Sequence, residues 1–279
     1  MTITPMGIQN AAMQRVAGHG ELAVRQRSGR TRIERLFQEG AAKIRLPTTS
    51  GDPLEAILIN TAGGLTGGDR IAWTIEAERE ASVVVTTQAC EKVYRSAGGH
   101  AEATCRISVG TNARVAWLPQ ETIVYNRSAF RRTLDVDIVG DGSALLLEAT
   151  VFGRQAMGEF VDIAEFRDRW RVRVDGHLVH AEAFSIGPDV ARQLAIPAVG
   201  GGARAVATLL LVGPDAEHDL DAARHILGDA GGVSAWRVGG TGKLLARLVA
   251  ADSYSLRARL IPLVRLLNGR AGLPKTWSL

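Results

Sequence analysis

The segment Gly239-Gly240-Thr241-Gly242-Lys243 is the first place to look for nucleotide chemistry. A phosphate-cradling loop needs G-x-x-x-x-G-K-[ST], so that backbone amides surround the phosphates and a hydroxyl holds magnesium. Arg237 stands where the first glycine belongs and Leu244 where the hydroxyl belongs. The segment therefore reads as a Gly-rich turn before a helix. Gly63-Gly64-Leu65-Thr66-Gly67-Gly68-Asp69 follows an apolar strand, but the next segment alternates like a strand, so no helix N-terminus is available for a pyrophosphate. Its glycines mark a sharp bend or a close backbone approach. The functional alternative is a loop that offers Asp69 and free amides to a partner or an ion.

Metal and acid–base chemistry are the next candidates. His177 and His180 are three apart on an expected strand, where an odd offset sends them to opposite faces. His218, Asp221 and His225 share an expected helix face that an ordinary solvated face explains as well. His100 follows a Gly pair in a loop. Cys90 beside Glu91 could ligate a borderline ion, against the commoner role of a small core residue. The chain has no G-x-S-x-G elbow and no H-E-x-x-H pair. Asp69, Glu91, Glu121, Glu148 and Glu159 sit in apolar or turn contexts where a carboxylate pair could form, with a structural salt bridge to Arg as the competing role.

Composition narrows the class. Lys plus Arg number 33 against 29 Asp plus Glu, a formal net charge of +4, which leaves no excess for a polyanion. Aromatics are 5%, too few for a base-stacking platform, so nucleic-acid binding is disfavoured. Two cysteines, Cys90 and Cys105, make no disulfide framework and point to a reducing compartment. The first twenty residues carry neither a basic leader nor an apolar core, and no window approaches a membrane span. The expectation is a cytoplasmic protein with residues 1–18 as a loose tail.

The elements that must position these residues are mostly strands. Ala103, Cys105, Ile107 and Val109 alternate with polar neighbours, as do Leu134, Val136 and Ile138, and again Trp170, Val172 and Val174. Asp175-Gly176 supplies a tight hairpin turn, with the returning strand from His177. Ser82 to Thr87 and Ala144 to Leu147 are apolar on successive positions and read as strands buried on both faces. The expected fold is mainly β, a body of stacked or wrapped antiparallel sheets over 19–212, and a Rossmann-type order is excluded. A smaller α-helical C-terminal part over 213–279 follows as an appendage of the same domain. Its expected helices are Pro214 to Leu227, Gly242 to Ala251 and Ser253 to Leu267, with Pro262 kinking or dividing the last and Asn268-Gly269 ending it.

Several blocks, in order, resemble one family. Asn60-Thr61-Ala62-Gly63-Gly64-Leu65-Thr66-Gly67-Gly68-Asp69, then Thr86-Thr87-Gln88-Ala89-Cys90-Glu91-Lys92-Val93-Tyr94-Arg95-Ser96, then Trp117-Leu118-Pro119-Gln120-Glu121-Thr122-Ile123 are similar to the hallmark blocks of the urease accessory protein UreD, called UreH in some systems. Phe152-Gly153-Arg154, Met157-Gly158-Glu159, Arg169-Trp170-Arg171-Val172 and Leu273-Pro274-Lys275-Thr276-Trp277 continue the resemblance over nearly the whole chain. Cys90 stands where the family usually has a small residue, and Lys275 where Arg is commoner.

The resemblance implies a β-helix-like stacking of sheets and a non-enzymatic urease maturation factor. Such a chain docks on apo-urease, binds UreF and through it recruits the GTPase UreG, and supports nickel insertion. Under it no cofactor is tightly bound, nickel is present only in transit, and GTP hydrolysis belongs to a partner, in keeping with the failed phosphate loop. Two placements of function follow. Asp69, Glu91, Glu148 and Glu159 would be transient oxygen stops for nickel, since weak ligation suits transfer. A scaffold-only reading instead places partner binding on an exposed Arg257, Arg259 and Arg265 face and a Trp277 tail. From a different class, a β-rich hydrolase or ligand-binding protein would use Glu91 and Glu148.

Overall fold

Strands form wherever the period-two pattern is strong. The computed structural model describes residues 14–48, 51–154 and 157–278, and most of the expected tail over 1–18 lies outside them. Among the described residues one sheet has seven strands, numbered in chain order: β1 (Ala17–Arg27), β2 (Arg30–Gly40), β5 (Arg70–Ala77), β8 (Ala101–Val109), β11 (Ala129–Ile138), β13 (Glu165–Val174) and β14 (His177–Ile186). The second sheet runs β16 (Gly231–Val238), β17 (Thr241–Ala250), β15 (Ala205–Val212), β12 (Ser143–Phe152), β9 (Arg114–Leu118), β6 (Ser82–Thr87), β4 (Leu54–Asn60), β3 (Ala42–Arg45). Short β10 (Thr122–Val124) pairs with β12 and with β7 (Glu91–Val93).

The fold is mainly β and solenoid-like, as expected, but the centre of each sheet is parallel, not antiparallel. β5, β8, β11 and β13 pair in parallel, and so do β4, β6, β9 and β12. The chain changes sheet at each turn and so returns to each sheet in the same direction. Side-chain alternation is identical in both arrangements, which is why the pattern did not distinguish them. Hairpins close the ends. The β13–β14 turn has Asp175 at φ 48 and Gly176 at φ 78, the left-handed pair read from the sequence.

Two apolar layers hold the body together. Leu22, Ile75, Ile107, Leu134, Phe166 and Trp170 meet Leu58, Val85, Leu146 and Leu210 between the sheets. The other face of the second sheet packs on the helices: Leu145, Leu147 and Leu209 meet Leu227, Leu256, Leu260 and Leu263. β12 is thus buried on both sides, as its unbroken apolar run implies. The helices are α1 (Val190–Ala195), α2 (Leu220–Leu227) and α3 (Ser253–Asn268).

Three helical expectations change. Residues 242–250 lie in β17, a strand whose Leu244, Leu245, Leu248 and Val249 mimic a helical spacing. The Gly239-Gly240 pair, at φ 56 and φ 85, is then the β16–β17 hairpin turn, not a lead into a helix. Pro214 to Asp219 is turn, and only Leu220–Leu227 is helical. Pro262 does not divide α3. The carbonyl deprived of its donor is that of exposed Ala258, within reach of water. Gly269, at φ 57, ends the helix where Asn268-Gly269 was expected to.

Candidate functional site

Charged residues that fall in phase with buried apolar ones must enter the space between the sheets. Glu91 is two residues from buried Val93 on β7, and Glu148 is two from buried Leu146 on β12. Arg132 lies in phase with Phe130 and Leu134, Asp168 with Phe166 and Trp170, and Glu182 with Phe184. Sheet pairing sets them side by side. Glu91 is opposite Thr122, Thr122 opposite Thr150, Glu148 opposite Thr208, and Thr208 opposite Arg247. On the facing sheet Arg132 is opposite Asp168. A polar layer therefore crosses the interior of the sandwich from β7 to β17.

At its centre Arg132 joins two acids. Its Nη1 lies 2.5 Å from Glu148 Oε2 and 3.0 Å from Thr122 Oγ1, and its Nη2 lies 2.6 Å from Asp168 Oδ2. Trp117 Nε1 donates to Glu148 Oε1 and Trp170 Nε1 to Asp168 Oδ1, each at 3.0 Å. Burial, countered by Arg132 and reinforced by the second carboxylate, pushes Glu148 up to about 7. Beside this cluster a cavity of about 130 Å³ is lined by Thr150, Glu182, Thr208 and Arg247 as well as by the three charged residues. Arg247 reaches across from β17 to Glu182 at 2.5 Å, and Lys243 donates to the Val179 carbonyl, so two cations stitch the sheets together at this end.

Glu91, at the other end, has no cation among the described residues. Asn60 Nδ2 donates to its two oxygens at 3.1 and 3.2 Å, and the Lys92 N–H to Oε1 at 3.2 Å. Burial outweighs these bonds and pushes its carboxyl up to about 7. Perturbed carboxyls of this kind concentrate at functional sites.

The other two candidate acids have different surroundings. Buried Asp69 accepts the Val16 N–H on Oδ1 and the Thr66 N–H on Oδ2, each at 2.8 Å, closing the Gly-rich loop onto the start of β1. Glu159 pairs with Arg154 at 2.9 Å, and Arg154 also covers the Tyr125 ring. The loop glycines serve close approach. A Cβ on Gly67 would meet Ser96 Oγ at 2.0 Å and the Gly98 carbonyl at 2.4 Å. Of the four candidate acids read from the sequence, the structure brings Glu91 and Glu148 to one interior face. The sequence reading missed Arg132, Asp168 and Glu182, whose signal was a charge in phase with apolar neighbours.

The C-terminal candidates divide as well. Arg259 and Arg265 are exposed on α3. Arg257 instead forms a bidentate pair with buried Glu121, 2.6 Å from Nε to Oε1 and 2.7 Å from Nη2 to Oε2. Burial would raise the Glu121 carboxyl, but this pair holds it below the usual range. Trp277 is not an exposed tail. It is 2% exposed in the helix-side core, its Nε1 donating to Thr86 Oγ1 and the Leu118 carbonyl. An indole contributes too much apolar area to be left in water when a core is within reach.

Cys90 is half-buried, not a core residue. Its thiol lies 3.4 Å from Glu121 Oε2, and burial together with that carboxylate pushes it up to about 11. It lines an open groove of about 610 Å³ with Phe152, Arg154, Arg204, Tyr254 and Arg257. His218 lies in the turn before α2, so it does not share a helix face with Asp221 and His225. Among the described residues no three His, Cys, Asp or Glu side chains converge as a preformed metal cage, and no helix is long and apolar enough to cross a membrane.

Comparison with known proteins gives this geometry a context. Residues 16–278 match the family model described as UreD urease accessory protein. The chain is 62% identical over 266 residues to the urease accessory protein UreD of Mesorhizobium japonicum, covering 95% of each chain. It is 55% identical to UreD 1 of Brucella ovis over 279 residues and to UreD 1 of Brucella anthropi over 282, covering the whole of each chain.

Proposed function

Since the chain belongs to the UreD urease accessory protein family and so has a role in urease maturation, we propose that it is a non-enzymatic scaffold and metallochaperone. It docks on apo-urease, binds UreF and through it the GTPase UreG, and supports nickel insertion into the urease active site, in the cytoplasm. The observation that carries this reading is the polar layer between the sheets, with Glu91 and Glu148 on one interior face. Burying charge is costly for a core even where it is paired, so a layer in which Glu148 and Asp168 share one cation and Glu91 is held by neutral donors calls for a use beyond packing. Nickel is the cargo. Carboxylate and hydroxyl oxygens bind such a borderline ion more weakly than a thiolate or imidazole cage would, which suits a place where the ion pauses and leaves.

The route is assigned to Glu91 and Glu148. Asp69 and Glu159 already hold backbone N–H groups and Arg154. Exposed Arg259 and Arg265 offer α3 as a docking face for an acidic partner surface, with Arg257 and Trp277 fixing that helix to the body. The test substitutes Glu91→Gln and Glu148→Gln, confirms by pull-down that the complex with UreF and apo-urease still assembles, and measures urease activation. Reduced activation with intact assembly is expected. Normal activation in both variants eliminates the interior route.

A further inference from the structure

Arg132 is bonded in a way that a purely structural ion pair does not require. It is 8% exposed, and Glu148 and Asp168 are each 6% exposed. One guanidinium serves two carboxylates, so one negative charge is left over where water is scarce. All four carboxylate oxygens have a donor: Trp117 and Arg132 on Glu148, Trp170 and Arg132 on Asp168. While Arg132 stays, neither acid offers an oxygen that is not already engaged. Arg132 itself is under-bonded, since among the described residues its buried Nε has no hydrogen-bond partner. An unmet buried donor is costly, which favours any position in which the guanidinium finds another acceptor. The cavity of about 130 Å³ adjoins this guanidinium and contains a further carboxylate, Glu182.

We propose that Arg132 is the latch of the interior route: a resident cation that holds Glu148 and Asp168 closed and must swing into the adjoining cavity before a divalent metal cation can bind between them. The proposal rests on the interior-route reading and adds its control step. The arriving cation neutralises the two acids in place of the guanidinium, which moves toward Glu182 and shares that carboxylate with Arg247, so the layer passes from one net negative charge to one net positive charge. Arg132 acts here as a positioning residue. It sets which carboxylate oxygens are offered and is not itself a ligand.

Equilibrium dialysis with Ni²⁺ on the full-length chain, copurified with UreF, tests the latch, with circular dichroism confirming the fold. Arg132→Gln should gain one Ni²⁺ equivalent with a dissociation constant at least about tenfold below that of the wild type, because a unit charge a few ångströms away no longer competes. Adding Glu148→Gln should abolish the gain. Arg132→Lys keeps the charge but cannot bridge both acids. It should bind Ni²⁺ more tightly than the wild type by a smaller factor, and it carries the test if the glutamine variant does not fold. Wild-type Ni²⁺ binding in a folded Arg132 variant overturns the latch. Urease activation separates the two levels: normal activation by both Glu91→Gln and Glu148→Gln removes the route and the latch with it, whereas impaired activation beside unaltered Ni²⁺ binding in the Arg132 variants removes the latch alone.

Discussion

Glu91 makes the interior layer measurable without any partner. Its carboxyl is pushed by burial from 4.5 to about 7, so folding favours the neutral form. A group whose folded pKa is raised stabilises the protein fully below its unfolded pKa and loses that contribution as pH climbs through the folded one. The window here runs from about 4.5 to about 7. Two to three pKa units correspond to about 3 kcal/mol at pH 8, and the same linkage leaves about 1 kcal/mol at pH 5. Glu91→Gln keeps an acceptor for Asn60 and cannot ionise. Relative to the wild type it should gain about 1 kcal/mol at pH 5 and about 3 kcal/mol at pH 8. Urea unfolding at both pH values measures this directly. A stability difference that is independent of pH, or that shrinks toward pH 8, would refute the assignment of Glu91 as an uncompensated buried acid.

Removing the indole in Trp277→Ala should cost about 3–5 kcal/mol, read as a lower urea midpoint, because the ring fills the helix-side core and donates to Thr86 and Leu118. Gly67→Ala should destabilise by roughly 1–3 kcal/mol in the same assay, since the methyl group meets Ser96 and two carbonyls, whereas Gly239→Ala has open space and should pay only for its φ of 56. The Cys90 thiol, held up to about 11, should react with a disulfide reagent at pH 8 far more slowly than free cysteine, and Glu121→Gln should speed it. Burial, with Lys243 and Arg247, lowers His180 to about 4, so its contribution is present above its ordinary 6.5 and is lost as pH falls from there to about 4. His180→Phe should flatten the unfolding free energy over that interval, and an unchanged acid limb counts against the buried neutral imidazole.

The phase of the strands was legible in the sequence; the direction of their neighbours and the depth of their charges were not. Trp170, Val172 and Val174 announce a buried face, and Asp175-Gly176 announces the turn that follows, because each rests on bonds within a few residues. Parallel pairing rests on which sheet the chain enters after each loop, and alternation carries no record of that. β17 misled for a related reason. Leu245 and Val249 break up the face that Lys243 and Arg247 would have marked as polar, and only its pairing with β15 and β16 decides the matter. The interior acids illustrate the converse. Asp168 stands amid Arg167, Arg169 and Arg171 and so resembles one more member of a charged face, yet those arginines are its odd neighbours while Phe166 and Trp170 are its even ones. Arg132 likewise keeps step with Phe130 and Leu134 and not with exposed Arg131. A charge that keeps the apolar beat of its strand is either a defect or a site, and a single strand cannot say which. Here the polar residues of β7, β10, β11, β12 and β13 fall on adjoining rungs: Glu91 and Thr122 are level with Thr150, Glu148 is one rung away, and Arg132 joins Thr122, Glu148 and Asp168. Packing defects have no reason to gather across five strands.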